Sequence, residues 1–143
     1  LNHRAALREA LGGVPLFARC SKRDLQIVAR HMQVVALPEG TALMREGEEG
    51  DAFYVVLAGT ATLVRAGRGV GEVGPGEHVG ELALLDPAPR SATVTATSPM
   101  VVGVIDARTF AAIVRDVPAL TLKLLAALAH RLRERDRAAT TPG

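Results

Sequence analysis

The residues best suited to chemistry lie in one run, GELALLDPAPRSATV, at positions 80–94. Arg90 carries a planar fork of donors that matches phosphate oxygens. Ser91 beside it can add a hydroxyl donor. Gly80 lets the backbone approach a ligand closely. The residues after it predict a short helical turn over 81–85, whose first backbone N–H groups lack partners within the helix and suit an anion. Glu81 is the odd member of the set. Ionised, it only accepts hydrogen bonds, which suits a sugar hydroxyl and not a phosphate. Anion donors beside one carboxylate acceptor describe a ligand with both a phosphate and a ribose. Each residue alone has a plainer role: Arg90 as an ion-pairing arginine, Glu81 as a helix cap, Ser91 as a local turn former. The combination is what carries the chemical reading.

These residues need elements to position them. SKRDLQIVARHM predicts an amphipathic helix, with Ser21 as N-cap, Asp24 in the first turn, and Leu25, Val28, Ala29 and Met32 at helical spacing. An earlier short helix, about residues 4–11, is ended by Gly12 and Gly13. From Val34 to Ile105 the pattern is short strands cut by glycine turns, which means a β-sandwich, roll or barrel. AFYVVLA and TATLVRA flank Gly59 as an expected hairpin, and ATVTAT and MVVGVI are the last two strands. The helical period then returns in ARTFAAIVRD, and in a last helix with Pro118 in its first turn and Leu120, Leu124, Leu128 and Leu132 about one turn apart. The expected fold is mainly β with flanking helices: an N-terminal helix, a jelly-roll-like β-roll of double-stranded β-helix type, and two C-terminal helices. The expected division is a helical lead-in at 1–20, the domain at 21–137 and a disordered tail at 138–143.

Composition narrows the function classes. The 143 residues are 48% apolar but only 3% aromatic, so the core must be built from Val, Leu, Ala and Ile. No apolar run reaches membrane-spanning length, and the N-terminus lacks a signal core. A lone Cys20 offers neither a disulfide framework nor a metal set and fits a reducing, cytoplasmic setting. His3, His31, His78 and His130 are scattered, so a cupin-like metal site pairing His78 with Glu81 lacks its second histidine. No nucleophile–base arrangement argues for an enzyme. Net charge is +2, and the terminal HRLRERDR mixes signs as a solvated helix face does, rather than forming a nucleic-acid patch. The missing initial Met and the TTPG end suggest a piece of a larger protein.

GELALLDPAPRSATVTA resembles the phosphate-binding cassette of cyclic-nucleotide-binding domains, shared by bacterial catabolite activators, cyclic-nucleotide-dependent kinases and cyclic-nucleotide-gated channels. Its two polar anchors are nine positions apart, as in that family. EGEEGDAFYVVLAGTATL looks like the family's first hairpin, and the resemblance extends through both closing helices. It implies that Glu81 takes the ribose 2′-hydroxyl. Arg90 would pair with the cyclic phosphate, helped by Ser91 and the backbone N–H groups of Leu82 and Ala83. Leu63, Val70 and Val79 would line the apolar side, and the last helix would cover the base. There the sequence departs from the bacterial activators, which place a hydroxyl residue where Arg135 aligns. The implied ligand is cAMP, with cGMP left open because Ser91 admits either. The implied role is regulatory: ligand binding repositions the last helix and signals to an effector absent from this chain. A homodimer through that helix is expected, and no direct nucleic-acid binding by this piece. The competing expectation is a degenerate roll that serves as a dimerisation or interaction module.

Overall fold

The computed structural model describes residues 3–140, and side chains through 138. The chain opens with α1 (His3–Gly12), a short 3-10 turn (Pro15–Phe17) and α2 (Lys22–His31). Ser21 caps α2 as expected: its hydroxyl accepts from the Asp24 N–H at 3.2 Å, and Asp24 Oδ2 accepts from the Ser21 N–H at 2.9 Å. Arg4 on α1 closes the other end of α2 by donating to the carbonyls of Ala29 and Met32, at 2.5 and 2.7 Å.

Ten strands follow: β1 (Gln33–Leu37), β2 (Ala42–Met44), β3 (Glu49–Gly50), β4 (Ala52–Ala58), β5 (Ala61–Arg65), β6 (Arg68–Val73), β7 (His78–Val79), β8 (Ala88–Pro89), β9 (Thr93–Ala96) and β10 (Met100–Asp106). They form two four-stranded antiparallel sheets, ordered β1-β10-β4-β7 and β2-β9-β5-β6, with β3 and β8 as a separate pair. This is the jelly-roll-like β-roll expected. The expected hairpin about Gly59 is a correction, because β4 and β5 belong to different sheets. Gly59 adopts a left-handed φ of 85° and lies so close to the segment before β10 that a Cβ there would come within 2.2 Å of the Pro99 carbonyl oxygen. The turn therefore carries the chain from one sheet to the other instead of folding it back.

β4 reads Phe53, Tyr54, Val55, Val56, and its alternation faces two different cores. Val56 joins Leu43, Ala61, Val73, Val79, Val94, Ala96, Met100 and Val102 in the core between the sheets. Phe53 and Val55 face the helices instead, with Leu7, Leu11, Val28, Leu84, Phe110, Leu120 and Leu124. Leu7, Leu11, Val14, Leu16 and Phe17 are all at most 1% exposed, so residues of the lead-in share that core. The three phenylalanines of the chain form one line: Phe17 lies 6.2 Å from Phe53 and 5.8 Å, edge-on, from Phe110.

Two helices close the chain, α3 (Ala107–Asp116) and α4 (Ala119–Thr140). Pro118 stands just before α4 rather than inside it. Residues 138–140 continue α4, and the rest of the expected tail lies outside the described residues. Of the expected leucine stripe, Leu120 and Leu124 are buried at 1% and 4%, Leu128 is partly buried, and Leu132 is 61% exposed. Lys123 pairs with Asp24, tying α4 to the start of α2. Because Phe17 joins the first turn, the sheet and α3, Phe17→Ala should cost about 3–5 kcal/mol of stability. Denaturant unfolding followed by circular dichroism measures it, and a loss below about 1 kcal/mol would mean that the aromatic line is not central.

Candidate functional site

The site begins where β7 ends. Gly80 turns the chain with a φ of 85°, and residues 81–84 form the short 3-10 helix expected there. The chain then bends past Pro87 and pairs as β8 with β3, Gly50 opposite Ala88 and Glu49 opposite Pro89. Arg90 follows directly. Its N–H donates to the Glu48 carbonyl and its own carbonyl accepts from the Gly47 N–H, both at 2.9 Å. The backbone of Arg90 is thereby fixed to the turn before β3.

The side chain is fixed too. Arg90 Nη2 donates to the Ala52 carbonyl at 2.7 Å. The guanidinium passes between two glycines. A Cβ at Gly50 would lie 2.5 Å from its Nε, and a Cβ at Gly80 would lie 2.8 Å from both its Nη1 and the Ala52 carbonyl oxygen. Only glycine at both places leaves the channel open. One cavity, about 320 Å³ in volume, brings together Gly80, Glu81, Leu82, Ala83, Arg90 and Ser91. That volume is at the small end of ligand pockets. A second, of about 230 Å³, also reaches Arg90 and is bordered by Glu48, Glu49 and Asp51.

The Glu81 carboxylate is 12% exposed. It accepts from the Leu16 N–H at 3.3 Å and faces Arg131 at 3.4 Å and His78 at 3.8 Å. Burial alone would raise its pKa. The neighbouring His78, the Leu16 N–H and the Arg131 charge outweigh burial and hold the carboxyl below its usual range, so it stays an acceptor. Ser91 is exposed, and its carbonyl accepts from Arg65 Nε at 2.9 Å.

Not every expected residue lines this cavity. Val79 is buried in the core between the sheets, and Leu63 packs partly against it. Val70 is 49% exposed on β6, and Arg135 is exposed on α4. The Ala83 N–H donates to the Gly80 carbonyl at 3.1 Å, because the 3-10 turn closes one residue earlier than an α-helix would. Its expected part in holding an anion is thus taken up inside the turn. Asp86, Ala88 and Pro89 also line the cavity and were not expected. Nor were Gly50 and Arg131, which reach the site from distant parts of the chain; His78, three residues before Glu81, reads in the sequence only as a candidate metal ligand. Gly50 carried no local signal beyond a glycine in an acidic turn.

Residues 34–116 match the family described as cyclic nucleotide-binding domain. The chain belongs to that family. The domain is 33% identical, over 87% of its length, to the cyclic AMP receptor protein of Thermus thermophilus, of which it covers 60%. It is 38% identical, over 71% of its length, to the cAMP-dependent protein kinase regulatory subunit of Yarrowia lipolytica, of which it covers 27%. It therefore spans less than two thirds of these curated relatives. Among solved structures, the N-terminal domain of a Streptomyces coelicolor transcriptional regulator superposes with a TM-score of 0.84 at 32% identity, over 92% of this chain and 96% of that one. The regulatory domain of Toxoplasma gondii PKA with cAMP matches with a TM-score of 0.69 at 38% identity, over 80% and 45%.

The glycine channel yields a test independent of any charge. Gly50 has no left-handed backbone requirement, so Gly50→Ala should fold normally yet push the guanidinium aside. Cyclic-nucleotide affinity should drop at least about tenfold, the scale of one misplaced charged contact. Calorimetric titration against the native domain reads this, and equal affinity would show that Arg90 does not depend on the channel.

Proposed function

We propose that the domain is a non-catalytic ligand sensor that binds cAMP in preference to cGMP and passes the signal, through its last helix, to an effector outside this chain. The observation that carries this reading is the single cavity lined by both Arg90 and an ionised, half-buried Glu81. Arg90 would take the cyclic phosphate, with Ser91 and the Leu82 N–H. Glu81 would take the 2′-hydroxyl of the ribose. Val79, Leu63 and Val70 would form the apolar flank, and Arg135 would lie near the base once the helix closes. A roll kept only as an interaction module would have no use for a guanidinium threaded between two glycines.

Two relatives support the choice of ligand by name: the Thermus protein is called a cyclic AMP receptor, and the Toxoplasma domain was solved with cAMP. A half-buried Cys20, whose thiol burial pushes up in pKa, fits a reducing, cytoplasmic setting. No helix among the described residues is long and apolar enough to cross a membrane. A homodimer through α4 draws support from its solvent side. Leu122, Leu125 and Leu132 are 74%, 56% and 61% exposed, and with Ala129 they repeat in the 3-4-3 spacing of a coiled-coil seam. The charges at residues 131–137 of the same helix are of both signs, which supports reading this stretch as a solvated face.

Arg90→Ala should keep the fold and weaken cAMP binding by about 2–5 kcal/mol, the range for losing one partner of a buried charged pair. Arg90→Lys should restore only part, because an ammonium cannot reproduce the fork. Calorimetry with cAMP, cGMP and 5′-AMP measures both effects and the ligand order. Unchanged affinity in the alanine variant would remove Arg90 from the site, and tighter binding of cGMP would reverse the assigned ligand.

The helix is tested separately. On adding cAMP, amide exchange should slow in two stretches, residues 80–91 and about residues 129–136, if order in the cassette and order in the helix are coupled. Truncation after Ala127 should weaken binding while leaving the sugar–phosphate contacts. Slowing confined to the cassette, with affinity unaffected by truncation, would mean that the signal leaves by another route.

A further inference from the structure

The partners of Glu81 come from three separate parts of the chain. Oε2 accepts from the Leu16 N–H, in the first 3-10 turn. Oε1 faces Arg131 from α4 at 3.4 Å and His78 from β7 at 3.8 Å. His78 is held in place by its own surroundings. It pairs opposite Val55 in the β4–β7 register, and its ring lies edge-on to Phe53 with centroids 6.0 Å apart. Phe53 is fully buried, so the imidazole rests on a rigid wall.

We propose that His78 is a further positioning residue of the ligand site, holding the half-buried Glu81 carboxylate as a fixed, charged acceptor for a sugar hydroxyl. The inference rests on the cyclic-nucleotide reading above. At 3.8 Å the imidazole acts through charge, since the separation is too long for a hydrogen bond. Burial raises the pKa of the Glu81 carboxyl; His78 lowers it, and Arg131 and the Leu16 N–H supply the rest of the lowering. The sign follows. Without the imidazole, burial is opposed by Arg131 and Leu16 only, Glu81 protonates at a higher pH, and the ribose contact weakens on acidification. With it, the contact persists.

The measurement is the ratio of affinities for cAMP and its 2′-deoxy form, taken at about pH 7.5 and at about pH 5, the latter close to the range in which carboxyl groups titrate. It is paired with the Glu81 carboxyl titration followed by carbon NMR. In the native domain the ratio should stay at about tenfold at both pH values, the worth of one hydrogen bond to a charged group. In His78→Phe, which keeps an aromatic ring against Phe53, the ratio should fall severalfold between the higher and the lower pH, and the Glu81 midpoint should rise. His78→Gln, which keeps a donor without the charge, should follow His78→Phe and serves should the latter fold poorly. A native-like midpoint and a pH-independent ratio in these variants would overturn the role of His78 alone. A native domain that binds neither nucleotide at either pH would overturn the cyclic-nucleotide reading, and this inference with it.

Discussion

The seat of the Arg90 guanidinium is the constraint around which the rest of the site is arranged. A charged fork must be held out of bulk water, aimed into a cavity and kept from collapsing onto a carboxylate. The chain meets all three needs with backbone. The Ala52 carbonyl takes one N–H of the fork, and two glycines clear a path for the rest. The β3–β8 pair and the bonds from Arg90 to Glu48 and Gly47 fix the segment from which the side chain departs. A neutral acceptor suits this purpose better than an acid would. A carboxylate in hydrogen-bonding contact would neutralise the guanidinium and compete with an incoming phosphate, whereas a carbonyl orients it and leaves its charge in place.

The seat is only as firm as β4, the strand that supplies Ala52. That strand is central in its sheet, between β10 and β7. It is also shared by both cores, giving Val56 to the core between the sheets and Phe53 and Val55 to the helical core. Phe53 then touches Phe17 on one side and His78 on the other. One side chain thus connects the first 3-10 turn, the sheet and the residue beside Glu81. A chain with so few aromatic residues places all its phenylalanines along this line, where large rigid side chains do the most to keep the helices in register with the roll.

Much of this was legible in the sequence, and the parts that were not share a cause. Ser21 with Asp24 announced the start of α2, and the run ARTFAAIVRD coincides with α3, because caps and helical periods are local properties. Glu81, Arg90 and Gly80 were legible because they lie in one contiguous segment whose chemistry makes sense together. Gly50 and Arg131 were not, since they reach the site through tertiary packing across 30 and 50 positions of sequence from Gly80 and Glu81; His78, only three positions before Glu81, reads in the sequence as a candidate metal ligand and not as a partner of the carboxylate. The turn at Gly59 misled for a related reason. Alternating strands on either side of a glycine look the same whether the chain folds back on itself or crosses to a second sheet, and only contact with the Pro99 carbonyl distinguishes them. The stripe of α4 drifted as well: spacing by four overshoots the 3.6-residue turn by about 40° at each step, so a row that begins buried at Leu120 ends in solvent at Leu132.

The two anchors are attached to different parts of the molecule, and this bears on how a ligand could act. Arg90 is tied to the roll alone, through Ala52, Glu48 and Gly47. Glu81 is tied to the roll through its own backbone and His78, but also to the first 3-10 turn through Leu16 and to α4 through Arg131. A ligand that offers only a phosphate would engage the roll and leave the helices untouched. One that offers a phosphate and a ribose hydroxyl in fixed relation would join Arg90 to Glu81, and through Glu81 join the roll to both helical ends. Such a ligand can shift the helices only by binding more tightly to one of their arrangements than to another. A shift of α4 would change the length and direction of the Arg131 contact, so such a difference would arise there. In this reading the phosphate would supply the hold, and the ribose hydroxyl, through one half-buried carboxylate, would make binding felt in the last helix.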